Sequence, residues 1–470
     1  MKLASKHSGV RLLQLSDFTG GINLAVPPEA LAPNECQSLV NFEYDYVTGI
    51  LKTRDGLEKL ASLNTEIDQL YYAKNLDVLL VSSAGKLYKF NNDNTFTLLG
   101  SLSGTKIPIF TEFGNKVLIA SGGNLQSYDG ISLTTITTSP LCDYVNVQYG
   151  RVILSKEGQD YLYFSGVGDE TNWNFSGTDA DALMLQVGYK DGGNILAVKM
   201  LNKDIIVFKD NNRIYRVVGA YPGWAVYEIT RKAGTLSRLS ATEVGNNIAF
   251  VDWDGVKSLD TVIEYGDVKV AGLGEKINVW LKKNLNVPQI RIWHIFKKAQ
   301  VWVKGQNDKV IYVFHLGSKA WSLFQFYKNV NAVAEKNNDI YVACENDLCK
   351  LSNIPLDAGQ NIQCMLITKR IQPLREFLLK GGKVFYEGLL VGNAVLEVNR
   401  LNVNLDFTTT DDIAFLDNDI AYSDSDPVYV QRENVLKFRC NHRMPYFEAK
   451  VYVMSGALKL YSLNFEIAEV

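Results

Sequence analysis

One short pattern recurs seven times along this chain: an apolar run, a polar turn, and a second short strand. It reads V-L-L-V-S-S-A-G-K-L-Y-K-F from Val78 to Phe90 and V-L-I-A-S-G-G-N-L-Q-S-Y from Val117 to Tyr128. A looser copy runs from Val152 to Phe164, and I-I-V-F-K-D-N-N-R-I-Y-R-V spans Ile205 to Val217. Three more begin at Ile248, Val301 and Ile340, so the starts are 39, 35, 53, 43, 53 and 39 residues apart. Self-similarity at roughly 40–50 residues is the spacing of β-propeller blades. The expectation is an all-β chain: a propeller of six to seven blades, a small β-rich platform built from the N- and C-terminal segments, and few short helices.

Each copy reads as a hairpin for a physical reason. Val, Ile, Phe and Tyr suit a pleated, half-buried surface, while Gly, Asn and Asp supply turn backbone. The first strand is apolar at nearly every position, as burial of both faces between stacked blades requires; the second alternates more, as an outer strand should. Phe96, Trp173, Trp224 and Trp321 follow their copies at the distance where a further strand would begin. Trp173, Trp224 and Trp253 are read as blade packing.

The flanks lack the pattern. The boundaries read from sequence are an extended platform segment over 1–65, the propeller over 66–351 and a β-rich platform domain over 352–470. Gly20-Gly21, Pro27-Pro28 and Pro33 punctuate the first segment, and Asn34 is placed to cap a short helix, E-C-Q-S-L-V-N. A second helix is expected in G-E-K-I-N-V-W-L-K-K-N-L, with Ile277, Trp280, Leu281 and Leu285 on one face, ending before Pro288. F-E-A-K-V-Y-V-M-S-G and L-K-L-Y-S-L-N-F-E-I-A read as a terminal hairpin, and the C-terminal region as a small sandwich or platform.

Composition excludes several classes. No apolar run approaches the roughly 18–20 residues of a membrane span, and the N-terminus lacks the apolar core of a signal peptide. The six cysteines (Cys36, Cys142, Cys344, Cys349, Cys364, Cys440) show no paired spacing and read as free thiols of a reducing compartment. Net charge is −3 without a basic block, which does not fit a sequence-specific nucleic-acid binder. It is compatible with a conduit past which DNA slides.

Two blocks of sequence resemble tail proteins of short-tailed bacteriophages. The first comprises D-F-T-G-G-I-N-L (17–24), P-P-E-A-L-A-P-N-E-C-Q-S-L-V-N-F (27–42) and G-I-L-K-T-R-D-G (49–56). The second comprises D-E-T-N-W (169–173), D-G-G-N-I-L-A-V (191–198) and I-I-V-F-K-D-N-N-R-I-Y-R-V-V-G (205–219). The family implied is the tail nozzle, also called tail tubular protein B or packaged-DNA stabilisation protein. The resemblance implies a structural virion protein, not an enzyme, located in the tail and made in the host cytoplasm. It would form a ring with copies of itself, usually a hexamer, below the portal and the tail adaptor protein. That ring would retain packaged double-stranded DNA and conduct it at ejection without sequence specificity. Tail fibres or a needle are further partners the family implies, although the chain lacks room for the fibre-docking domains of larger members.

No catalytic, cofactor-binding or metal residue is assigned, and no cofactor is expected. The histidines His7, His294, His315 and His442 lack zinc spacing, and Cys440-x-His442 and Cys344-x4-Cys349 fall short of four ligands. A-G-L-G-E-K (271–276) lacks the phosphate-loop pattern and reads as a helix start. The acidic stretch 410–426 is the best calcium candidate, yet it lacks the EF-hand glycine and terminal glutamate and reads more simply as a solvated loop. In the nozzle reading its carboxylates would repel DNA phosphates. The alternatives are a glycan-binding or glycan-cleaving propeller and a generic protein-interaction scaffold.

Overall fold

The computed structural model describes residues 4–7, 10–45, 50–262, 267–306, 309–372, 376–407 and 434–469. They form an all-β protein of two compact units. One unit comprises 59–311 and 328–351; the other comprises 1–58, 312–327 and 352–470.

The first unit is the propeller. Five four-stranded sheets follow in chain order, spanning Ile67–Ser101, Ile109–Thr135, Tyr144–Gln186, Ile195–Thr230 and Ala241–Gly272. A sixth, closing blade is built from Val330–Lys336, Asp339–Cys344 and Asp347–Ser352, with the strand Gly56–Ser62 added at its outer edge. Six copies of the repeat fall on the two middle strands of these six blades. The Val301 copy falls on Gln300–Lys304 and Val310–His315, and the chain leaves this unit inside the latter strand. The apolar first strand of each copy is buried nearly throughout, as in Val78–Ser83 and Arg151–Ser155.

Burial between blades holds the ring. Leu80, Val117 and Ile119 join the first blade to the second; Leu118, Leu154 and Trp173 join the second to the third. Val198 and Ile153 bridge third and fourth, and Phe208 and Phe250 meet between fourth and fifth. The ring closes where Ala332, Ala343 and Leu348 pack on Ile67, Leu79 and Val81. Fully burying one such aliphatic side chain is worth about 1.5–3 kcal/mol. The strand that completes the closing blade is pinned at Asp347, which accepts from Ser62 Oγ at 2.6 Å and pairs with Lys59 and Lys328 at 2.9 Å.

A polar device repeats on the same frame. Glu112, Glu243 and Glu335 lie on the first strands of their blades, each directly opposite the residue that begins a repeat copy, Val117, Ile248 or Ile340. Each carboxylate reaches the backbone of a preceding turn or strand. Glu112 accepts from Asn75 N at 3.2 Å and Glu243 from Met200 N at 2.8 Å. Glu335 accepts from Phe296 N at 3.1 Å and Lys297 N at 2.9 Å. The sequence signal is E-x-G/N-N-x-V/I, at 112–117, 243–248 and 335–340. Carboxylate acceptors of this kind satisfy turn N–H groups that would otherwise face only water.

The second unit is a curled, half-barrel sheet, not a sandwich. Its spine is the strand Ala449–Glu469, paired along one edge with Phe377–Val398. The other edge pairs in turn with Val10–Leu15, Leu51–Thr53 and Cys364–Thr368, so both chain ends enter one sheet. The expected terminal hairpin is instead this single strand. Ser455-Gly456 makes a bulge, not a turn: the register shifts there, with Gly456 at φ +77°. A Cβ on Gly392 would lie 2.1 Å from Ser455 O, so the two strands approach closely where they bend.

The helix expected after Asn34 is also absent, and Glu35–Val40 is a strand. Its Cys36 and Leu39 are buried, and it pairs with Gly21–Ile22 and Cys364–Thr368. Tertiary pairing outweighs local capping preference here. The second helix forms but is short, Asn278–Lys283, with Ile277 and Leu281 buried and Trp280 half exposed, off the expected apolar face. Trp253 sits 60% exposed at a turn and is not blade packing. Trp173 is buried between blades and Trp224 packs against the core joining the third and fourth.

Glu335→Ala should cost about 1 kcal/mol of propeller stability, the usual loss for hydrogen bonds at a partly exposed site. Urea unfolding should show a lowered midpoint at an unchanged m-value.

Candidate functional site

Each of the two sequence blocks that carry the phage-tail resemblance contributes residues to a buried network, one in each unit. In the platform unit, Asn41 holds φ +58° and sends its side chain to three partners. Its Oδ1 accepts from Arg54 Nε at 2.9 Å and Gln325 N at 2.7 Å, and its Nδ2 donates to Gln363 O at 2.7 Å. Arg54 is 2% exposed and uses all five of its N–H donors. Beyond Asn41, Nη1 reaches Asp55 O and Asp357 Oδ1, and Nη2 reaches Gln325 O and Asp357 Oδ2. The Phe326 ring lies 4.4 Å from the guanidinium carbon. A fork-to-fork pair of this geometry is what guanidinium offers and ammonium does not.

The neighbouring motif residues set backbone around this pair. Asp17 Oδ1 caps Thr19, Asn23 Nδ2 donates to Glu35 Oε2 at 3.0 Å, and the Tyr44 hydroxyl donates to Phe18 O at 2.6 Å. Gly56 has no room for a side chain, since a Cβ would meet Ile354 O at 2.1 Å. Burial pushes the Tyr44 phenol well up, and burial pushes the Cys364 thiol up to about 12 despite the Arg54 cation. Neither group is poised for nucleophilic chemistry.

In the propeller unit the second block builds around Lys209, which is fully buried. Its Nζ donates to Val187 O at 2.8 Å and to Asp191 Oδ1 at 2.6 Å. Asp191 also accepts from Gly193 N at 3.0 Å and from the Tyr215 hydroxyl at 2.8 Å. Burial alone would raise the Asp191 carboxyl, but these donors outweigh it and hold it below the ordinary carboxylate range. Trp173 Nε1 donates to Glu170 O at 2.8 Å, closing the D-E-T-N-W turn. Every donor of Arg54 is used, whereas beside Lys209 the Asn211 amide donates its Nδ2 to Asp191 O at 3.0 Å and keeps its Oδ1 buried without a hydrogen-bond partner.

The other weighed residues do not assemble. Cys36, Cys142, Cys344, Cys349 and Cys364 are buried and Cys440 is half-buried, all as free thiols. Cys440 Sγ faces Leu379 O and His442 Nε2 faces Asn399 O, so that pair does not converge. His315 meets Ser322 Oγ at 2.8 Å in the core, and burial pushes the His294 imidazole down. Among the described residues no group of three His, Cys, Asp or Glu side chains could hold a metal. In the stretch 271–276, the Gly274 carbonyl accepts from Ile277 N and Asn278 N as the helix begins. The acidic stretch 410–426 and the His7 side chain lie outside the described residues. The partners Asp357, Gln325 and Gln363 were not legible, because they lie some 270–320 residues from the motif they complete.

No family model matches the chain, and no curated protein matches it. Solved structures similar to it include BamB from Moraxella catarrhalis, at TM-score 0.42 and 11% identity, over 73% of this chain and 97% of that one. A streptogramin B lyase gives TM-score 0.44 and 10% identity over 64% of this chain and 98% of the other. The extracellular domain of a hybrid two-component system from B. thetaiotaomicron gives 0.48 and 12% over 85% and 62%. At these levels none of them assigns an activity to this chain.

Arg54→Ala should destabilise the protein by about 3–5 kcal/mol by stranding the buried Asp357 carboxylate, and Arg54→Lys should not restore it. Urea unfolding monitored by tryptophan fluorescence reads this directly. Asp191→Asn should lower stability at neutral pH. Because the folded carboxyl is held low, its contribution is present above the unfolded value of about 3.9 and fades as pH falls through the folded value. The gap between wild type and variant should therefore narrow in acid, measured as unfolding midpoints from pH 7 to pH 3.

Proposed function

We propose that this β-propeller protein with a curled β-sheet platform is a structural component of a virus tail, the nozzle or tube ring that retains packaged DNA and conducts it at ejection. One observation carries this reading. The two sequence blocks that resemble short-tailed phage tail proteins are the blocks that build the two buried ion pairs, Arg54–Asp357 and Lys209–Asp191. The resemblance thus rests on residues whose types are dictated by architecture, as expected where a mechanical scaffold is the function. A net charge of −3 suits a wall past which phosphates slide without being held.

In this reading the mechanism is mechanical. Blades locked by inter-blade burial resist deformation, and copies of the chain close head-to-tail into a ring beneath the adaptor. The competing reading, a cellular protein-interaction scaffold on the same propeller, predicts a different location. Gold-labelled antibody on intact particles of the encoding element should mark the tail vertex alone. Label absent from particles, with the protein free in the cell, would discard the tail reading in favour of the scaffold.

A further inference from the structure

An open cleft of about 190 Å³, which no part of the tail reading uses, lies between the third and fourth blades. Its lining includes Gln148, Tyr149, Arg151, Phe164, Tyr221 and Trp224. Trp224 stacks on Phe164 at 4.5 Å between centroids and meets Tyr221 edge to face at 5.6 Å, which makes a rigid aromatic wall. Arg151 is a further lining residue, and its guanidinium donates to the carbonyls of Ser165, Asp179 and Asp181. That charge is committed to the backbone and is not offered to an anion.

Two observations point to a ligand. The first is an orphan acceptor. Gln148 donates its Nε2 to Lys203 O, which sets the amide orientation and leaves Oε1 buried without a hydrogen-bond partner. A buried acceptor in that state costs free energy until a donor arrives. The second is a residue that breaks the local rule. Three positions before a repeat start, four other blades place Gly114, Asn202, Gly245 and Asn337, at φ +57°, +57°, +57° and +55°. The third blade places Tyr149 there, at φ +50° and half exposed over the cleft. A bulky side chain in the left-handed region is a genuine cost, which glycine or asparagine would lower. Strain of this kind concentrates at ligand sites.

We propose that this cleft binds a single neutral sugar ring, with a hydroxyl donating to Gln148 Oε1 and the apolar face of the ring against the aromatic wall. The size fits one ring, since about 190 Å³ falls below the roughly 300–1,000 Å³ of drug-sized sites. The chemistry fits a hydroxyl-rich, uncharged ligand: an acceptor awaiting a donor, the Tyr221 hydroxyl, aromatic faces, a committed arginine and Asp179, a further acceptor for a sugar hydroxyl, while the Tyr149 hydroxyl faces Lys203 O. The inference stands on blade geometry alone and holds whether the protein works in a virion or in a cell.

The test is calorimetric titration of the full chain with the methyl glycosides of glucose, galactose, mannose and N-acetylglucosamine at millimolar concentration. At least one should saturate the wild type. Gln148→Leu should weaken that sugar about tenfold or more, since a hydroxyl-reading site loses heavily when its polar partner goes. Tyr149→Asn should weaken binding while raising the thermal midpoint, because asparagine suits the backbone and the tyrosine was kept for the ligand. No saturation by any of the four sugars, or wild-type affinity in both variants, overturns the proposal. A Tyr149→Asn variant that is less stable than wild type would equally remove its basis.

Discussion

A blade with both faces apolar cannot stand alone, and most of the propeller unit follows from that constraint. Val78–Ser83 is buried at every position, so the first blade requires neighbours on both sides. The same need passes around the ring until Ala332, Ala343 and Leu348 meet Ile67, Leu79 and Val81. Closure is finished by a strand from far upstream in the chain, Gly56–Ser62, tied at Asp347. A ring joined by sequence-distant ends leaves neither terminal blade with an unpaired face, the usual liability of stacked repeats.

Apolar burial specifies that blades stack; polar groups specify where. The glutamates 112, 243 and 335 each reach backbone of a preceding turn or strand from one register position, so the same hydrogen-bond logic recurs around the ring. The buried pairs Arg54–Asp357 and Lys209–Asp191 act more sharply. Such pairs add little net stability over an apolar substitute, but a misplaced partner leaves a bare charge in the interior. Their worth here lies in excluding wrong arrangements, with Arg54 recruiting Asn41, Gln325 and Asp357 from three separate stretches of chain. Arg54, Lys209 and Asp191, which lie within the blocks that carry the phage-tail resemblance, are therefore positions where an error would be costly.

The third blade departs from its siblings in a way that uniform scaffolding does not explain. Tyr149 occupies a left-handed turn position held by glycine or asparagine in four other blades, and it does so beside an unpartnered Gln148 oxygen. Local rules are broken in natural proteins chiefly where a site requires it.

The repeat itself was legible in the sequence, because burial on both faces writes a continuous apolar run and a hairpin writes its turn residues beside it. All seven copies fall on paired strands, and the six blade sheets stand where six of those copies predict. The glutamate device leaves a sequence pattern as well, E-x-G/N-N-x-V/I, but only the strand register and the backbone donors that meet each carboxylate reveal its role. What the sequence could not decide was any pairing between distant segments. Glu35–Val40 carries a helix signal locally and becomes a strand because Gly21–Ile22 and Cys364–Thr368 flank it. Ser455-Gly456 carries a turn signal and becomes a bulge because the partner strand Phe377–Val398 continues past it. The closing strand, the acceptor for Arg54 and the cleft at Tyr149 likewise exist only when remote backbone is brought together. Local chemistry determined the kind of element and its period, whereas the partner of each element was decided by tertiary packing, where burial energy exceeds local preference.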